Sequence, residues 1–327
     1  MEVRLVTRDG VRAYSVDDLK ALLDRDDGLV WMDIPVCDEP AARVLSDAFG
    51  FHPRAVRDCL ERNRVPKVHI YADHVFVVLH APEAGRAGHV HYLELDQFIG
   101  PRYLVTVHGP VNPAVNPRAA LRETETVLRR LEAGRFRPAT SYDLSYAIVS
   151  ALARGLETFI EQQTREVWQL EQRVTSGHLG DPEQFLEEMF EARHGLIAVR
   201  TMGALSREIY GRLTTVGRAV PPEAKPLLDD VEDQFNRVYG LADGQKEYLQ
   251  GVIEFYRTRS DTKMTIAAER LAVIAVITLP ITALSSVLGM NIIVNDRTDF
   301  PLLGVVVAIM AVMSGALLTW AKKQGWW

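Results

Sequence analysis

The 327-residue sequence is poor in several features, and each absence narrows what it does. It has two cysteines, Cys37 and Cys59, and no Cys-x-x-Cys pair. Neither a disulfide framework nor a cysteine zinc site is indicated, and the chain suits a reducing compartment. The nine histidines include no pair four apart and no HExxH, so a catalytic zinc site has no support. His89 and His91 alternate in a strand-like run and read either as surface histidines or as a meeting point for a transition metal. Neither GxGxxG nor GxxxxGK(S/T) occurs, so no nucleotide-driven pump is indicated. The chain is expected not to be an enzyme and to need no catalytic cofactor. A net charge of −6 argues against a general nucleic-acid binder. The opening residues, MEVRLVTRDGVRAYSVDD, lack a basic stretch followed by an apolar core and a small-residue cleavage site. The segment before the apolar runs described next is therefore expected to stay on the side where it is made.

What the sequence does hold is two long runs without charge at its C-terminal end. Leu271 to Met290 has no charged residue over twenty positions, and Leu302 to Trp320 has none over nineteen. As helices rising about 1.5 Å per residue, each reaches roughly 30 Å, the thickness of a bilayer's hydrocarbon core. They read as two transmembrane helices, the alternative being a buried core hairpin. Arg257, Arg259, Lys263 and Arg270 precede the first run and Lys322 and Lys323 follow the second, whereas the loop between them sets Arg297 against Asp296 and Asp299. This bias predicts both termini on the cytoplasmic side, with Trp326 and Trp327 as interfacial anchors.

Residues 1–110 mix short β-rich runs with short helical patterns and are expected to form a small cytoplasmic α/β domain. The strand candidates are LVWMDI (29–34), HVFVVLH (74–80), LELDQFIG (93–100) and RYLVTVH (102–108). Ser15 is expected to cap a helix, and EPAARVLSDAFG (39–50) to end a helix on its glycine. After GPVNPAVNP (109–117), helical periodicity dominates. Residues 111–225 form a cytoplasmic helical region divided by Pro138, Pro182 and PPEAKP (221–226). Residues 226–290 are expected to be one stalk helix of about 95 Å continuing into the first span. Residues 291–301 form an external loop, and 302–327 the second span with a basic tail.

On a helical wheel Leu271, Ala275, Thr278, Thr282, Ser285 and Gly289 share one face of the first span. Small and hydroxyl side chains on one face suit close helix packing. They also suit a water-facing pore wall, and two spans enclose a channel only if several copies gather round an axis. Asn291, at the end of the span, reads either as helix-termination chemistry or as one member of a ring of amides.

The run SSVLGMNIIVND (285–296), with GMN closing a first span before a short loop and a second C-terminal span, resembles the signature of the CorA family of divalent cation channels. WMDIPVCDEPAARVLSDAFGFHPRAVRDCLERNRVPKVHIYADHVFVVLH (31–80), RYLVTVHG (102–109), VRTMGALSRE (199–208) and ERLAVIAVITLPITALSSVLGMN (269–291) extend the resemblance over nearly the whole chain. It implies an α+β fold: a cytoplasmic α/β domain, a long helical stalk and two C-terminal transmembrane helices, assembled as a homopentameric funnel in the plasma membrane. Gly289, Met290 and Asn291 would be the filter that meets hydrated Mg2+ at the external mouth. Thr282, Leu279 and Leu271 fall at the family's polar ring and hydrophobic constrictions, which favours pore lining for the whole face. The resemblance further implies a regulatory Mg2+ site, with Asp230 at one matching position. The second position falls near Gly85, which has no ligand, leaving Glu83 as a substitute. Without the family, Asp229, Asp230, Glu232 and Asp233 are simply acids in the first turns of a helix.

Departures from the family pattern are visible too. GMNIIVNDRTDFP lacks the aromatic after the motif and the MPEL-like loop. Asp296 and Asp299 would raise the local cation concentration, partly offset by Arg297. Thr265 and Ala268 stand where the family commonly has Asn and Met. The cargo is expected to be Mg2+, with Co2+ or Ni2+ also passing. The alternatives are a Zn2+ transporter of the ZntB kind, and a membrane-tethered scaffold or sensor whose spans only anchor it.

Overall fold

The computed structural model describes residues 1–177, 181–215, 220–289 and 300–323. It divides into two compact units, Met1–Val252 and Ile253–Trp327.

The first unit is organised by one sheet. In chain order its strands are β1 (Glu2–Thr7), β2 (Gly10–Tyr14), β3 (Leu29–Ile34), β4 (Lys67–Ile70), β5 (Val75–Ala84), β6 (Val90–Ile99) and β7 (Tyr103–Val107). Across the sheet the order is β2-β1-β3-β7-β6-β5-β4, with β3 and β7 parallel and the other neighbours antiparallel. Successive side chains leave a strand on opposite faces, so each inner strand feeds two cores. Leu29 and Trp31 join one core, Val30, Met32 and Ile34 the other; Val75, Val77 and Leu79 oppose Phe76 and Val78 in the same way. Because both faces are covered, LVWMDI is buried at every position and reads as an apolar run broken only by Asp33, not as an alternating one.

One face carries α1 (Leu19–Leu23), α2 (Glu39–Asp47) and α3 (Pro53–Leu60). Ser15 does cap its segment, through a capping box with Asp18, but the first turn is a 3-10 turn before α1 begins. The other face carries α4 (Pro117–Ala120), α5 (Arg122–Glu132), α6 (Ser141–Ser176), α7 (Pro182–Thr215) and the start of α8 (Lys225–Gly289). Thr140 closes a capping box with Asp143 at the head of α6, and Gly177, at φ 81°, takes the left-handed conformation that ends it. Leu144, Ile148, Leu152, Leu156 and Ile160 recur every four residues and are all buried, the stripe of a helix lying on a core.

The four strands expected from sequence are present, with β5 running four residues past His80 and β6 starting three before Leu93. Three others, β1, β2 and β4, were not expected. The second unit holds the C-terminal part of α8 and, among the described residues, α9 (Phe300–Lys323). Both helices are long and apolar enough to cross a membrane, with mean hydropathies of 1.8 and 2.0 in their most apolar stretches.

Candidate functional site: the polar stripe of the first span

The end of α8 is a continuous helix through Pro280. A proline has no N–H to offer the carbonyl four residues back, so Val276 loses its helical donor. Val276 and Pro280 lie on the same side of the helix as Val273, Ile277, Ile281 and Leu284, and all six are half-buried. On α9 a matching half-buried series is Val306, Met310, Met313, Ser314 and Leu317, ending at buried Ala321. Each helix thus shelters one face, as two packed helices of one unit do.

The stripe singled out from the sequence lies on the other side. Leu271, Ala275, Thr278, Thr282, Ser285 and Gly289 fall within about 80° of one another at 100° per residue, roughly opposite the sheltered face. Every one of them is exposed, and so is Leu279 at the edge of the stripe. A Cβ at Gly289 would meet nothing within 4 Å.

The hydroxyls on this stripe have a definite polarity. Thr278 Oγ1 donates to the Ile274 carbonyl at 2.9 Å, and Thr282 Oγ1 to the Thr278 carbonyl at 2.8 Å. With each hydrogen tied to the helix's own backbone, the oxygen lone pairs are what remain for an outside partner. Thr258 and Thr265, lower on α8, are bonded in the same way to the carbonyls of Glu254 and Asp261. Such a surface accepts hydrogen bonds, which is what the water shell of a cation offers.

Met290, Asn291, Asp296 and Asp299 lie outside the described residues. The two expected regulatory acids are described, and each is already engaged. Asp230 Oδ2 accepts from the Tyr146 hydroxyl at 2.7 Å and from Gln234 Nε2 at 2.6 Å, and Gln234 also reaches Ser150 Oγ at 3.1 Å. The bond to Asp230 is the first cause holding the Tyr146 hydroxyl above the usual phenol range. Glu83 pairs instead with Arg122 at 2.5 Å. Among the described residues no group of three or more His, Cys, Asp or Glu side chains is placed to hold a metal ion. His89 and His91 meet edge to face with ring centres 4.6 Å apart.

The first unit also holds a buried polar layer that the sequence reading missed. Asp33 accepts from Thr106 Oγ1 and from His108 Nε2 at 2.9 Å, and these bonds outweigh burial and hold its carboxyl below the usual range. Asp96, fully buried beside Glu94 and Cys59, is pushed the opposite way, first by burial and then by the Glu94 charge. Burial also pushes the Cys37 thiol up to about 12. The signal for the acid pair was in LELDQF: Glu94 and Asp96, two apart on a strand, must share a face.

Comparison with known proteins follows the same outline. The family described as CorA-like Mg2+ transporter protein matches residues 26–323. The cobalt/magnesium transport protein CorA of Thermotoga maritima is 23% identical over 342 residues, covering 100% of this chain and 92% of that protein. The complete structure of the CorA magnesium transporter from Methanocaldococcus jannaschii superposes with a TM-score of 0.80 at 16% identity, over 100% of this chain and 99% of that one. The ZntB cytoplasmic domain from Vibrio parahaemolyticus gives a TM-score of 0.61 at 11% identity, over 80% and 98%. At these identities the structural likenesses speak for the fold.

Proposed function

The chain belongs to the CorA-like Mg2+ transporter family, and from that premise we propose that it is a passive, homopentameric Mg2+ channel of the plasma membrane, its termini cytoplasmic, that also admits Co2+ or Ni2+. The observation that carries this reading is the stripe on α8: exposed along its length, set roughly opposite the face sheltered in its own unit, and lined by hydroxyls whose lone pairs are free. Copies arranged about an axis turn such stripes inward and make a lumen.

Mg2+ releases its water reluctantly and demands near-octahedral oxygen geometry. A ring of neutral acceptors suits it, because hydrogen bonds to the intact shell hold the ion without trapping it as carboxylates would. In this reading Gly289, Met290 and Asn291 form the external filter, with Asp296 and Asp299 gathering cations at the mouth. Ser285, Thr282, Thr278 and Ala275 follow, and Leu279 and Leu271 give narrower apolar levels that close by dewetting. No other energy source is needed, since moving a double charge inward across 100 mV releases about 4.6 kcal/mol. A regulatory metal at Asp230 and Glu83 has to displace Tyr146 and Gln234 from the one and Arg122 from the other.

The test is ion flux into proteoliposomes for the wild type and Asn291→Ala, with Mg2+, Co2+, Ni2+ and Zn2+ compared. Wild-type Mg2+ flux that disappears in the variant is the expected result. Zn2+ flux that depends on a proton gradient, with none for Mg2+, would replace this reading with the ZntB kind. A protein that conducts nothing while its first unit binds a partner would be a scaffold.

A further inference from the structure

One cavity of the first unit has no place in the transport reading. It encloses about 390 Å³ where four segments meet: the loop between α3 and β4, the start of β6, the loop after β7, and α7. Arg62 and Arg64 come from the first of these, His91 from the second, Asn112 from the third and Met202 from the last. Among the described residues no carboxylate lines it.

The two arginines differ from the ion-paired arginines of their unit. Arg122, Arg173, Arg200 and Arg237 each sit on a carboxylate. Arg62 and Arg64 have no ion pair or hydrogen bond among the described residues. They are not loose ends of a mobile loop, because the residue between them is held on every side. The Asn63 N–H donates to Glu94 Oε2 at 2.8 Å, and its side-chain amide donates to Glu94 Oε1 at 2.5 Å and to the Asp58 carbonyl at 2.7 Å. His80 Nε2 donates to the Asn63 carbonyl at 2.9 Å. Two unneutralised guanidiniums thus project from a held stretch of backbone at the edge of one cavity, so the ordering an anion demands is confined to their side chains. His91 is held below the usual imidazole range by burial and then by the neighbouring His89 and Arg62 charges, against the opposing pull of Glu83.

Below this charged rim the walls are apolar, formed by Val65, Val90, Met202 and Leu205. Guanidinium forks match phosphate oxygens two at a time, and cavities of this volume hold small organic molecules. We propose that this cavity is a binding site for a phosphorylated small molecule of nucleotide size, its phosphate on Arg62 and Arg64 and its body against Met202 and Val65.

The test is titration calorimetry on the full-length protein in detergent and metal-free buffer, so its outcome does not depend on ion flux. ADP is expected to bind, ribose 5-phosphate to bind equally or less tightly, and inorganic phosphate at least about tenfold more weakly than ADP. Equal affinities for the first two would mean that the base stays outside the cavity, still within the proposal. The double variant Arg62→Gln/Arg64→Gln is expected to lose at least about tenfold in ADP affinity with unchanged thermal unfolding, since both side chains are exposed. Arg129→Gln, on α5, is expected to bind as the wild type does. Three results would each overturn the proposal: no saturable heat with ADP or ribose 5-phosphate at millimolar concentration, wild-type affinity in the double variant, or inorganic phosphate binding as tightly as ADP.

Discussion

Leu156 in α6 and Leu279 in α8 are the same side chain on the same kind of helix, yet the first is 0% exposed and the second 66%. The contrast extends through their units. In Met1–Val252 the large apolar residues feed two cores on the faces of one sheet. In Ile253–Trp327 they stand outward: Leu271, Val305, Val307 and Val312 are exposed, and only 6% of the most apolar stretch of either span is buried. Exposed apolar surface on this scale has to be covered by something the single chain does not contain. In the reading proposed above, lipid covers most of it. The stripe of small and hydroxyl residues is the part that lipid suits least, and there the pentamer reading provides a lumen.

Deleting a side chain from each region breaks the comparison most sharply. Phe235, at the start of α8, is 0% exposed and stacks on Tyr210 with ring centres 5.8 Å apart. Phe235→Ala is expected to cost about 3–5 kcal/mol in urea or thermal unfolding, through lost transfer energy and the cavity left behind. Val307→Ala, on the exposed side of α9, should change the same measurement little. Equal losses would mean that the second unit has a packed core after all.

Next in size is a charge placed on each side of the spans. Val312 is 72% exposed. Val312→Lys is expected to cost about 2.5–3.5 kcal/mol of membrane insertion and to lower the amount of protein recovered from membranes. Thr282→Lys, on the stripe, is expected to insert and assemble while cation flux is lost to repulsion in the lumen. If Thr282→Lys fails to insert as Val312→Lys does, the stripe faces lipid.

The two regions were also unequally legible in the sequence. β3 and β7 were readable because burial on both faces leaves a nearly continuous apolar run, interrupted only by Asp33 in one and Thr106 in the other. β1 and β4 do alternate, in EVRL and KVHI, but over only four positions each, and β2 is never fully buried, so none of them offers a signal long enough to stand out from a loop. The spans and their stripe were legible because a helix face follows from rotation per residue alone, with no tertiary knowledge. What engages Asp230 was not: Tyr146 lies 84 positions away, and no local spacing rule reaches it. The cavity of Arg62 and Arg64 was hidden for the same reason, since four separate segments build it.

Within the first unit, the two buried aspartates make a smaller comparison that pH can sharpen. An acid whose folded pKa is raised, such as Asp96, keeps its proton in the folded chain after the unfolded chain has lost it. Its contribution is whole below the unfolded value, near pH 3.9, and is lost as pH rises toward the folded one. Asp33, held low, behaves oppositely: its contribution is present above the unfolded value and is lost as pH falls through the folded one. Asp96→Asn is therefore expected to stabilise the protein by about 1–2 kcal/mol near neutral pH and by less in acid. Thermal unfolding at two pH values reads the difference, and a variant destabilised equally at both would show the carboxylate to be well paired.

The smallest effect tests whether a long helix in the first unit depends on its ends or on its packing. At the head of α6, the Thr140 hydroxyl receives the Asp143 N–H at 3.1 Å, and the Asp143 carboxylate receives the Thr140 N–H at 2.9 Å. Thr140→Ala removes one of these reciprocal bonds, and Asp143→Ala the other. Each is expected to cost about 1 kcal/mol, well below Phe235→Ala, because α6 is held along 36 residues by a buried stripe that the cap does not touch. The bonds belong to one motif, so the double variant should cost less than the two single losses added together. Additive losses would mean that each residue acts alone, and a loss as large as that of Phe235→Ala would place the control of α6 at its cap and not in its core.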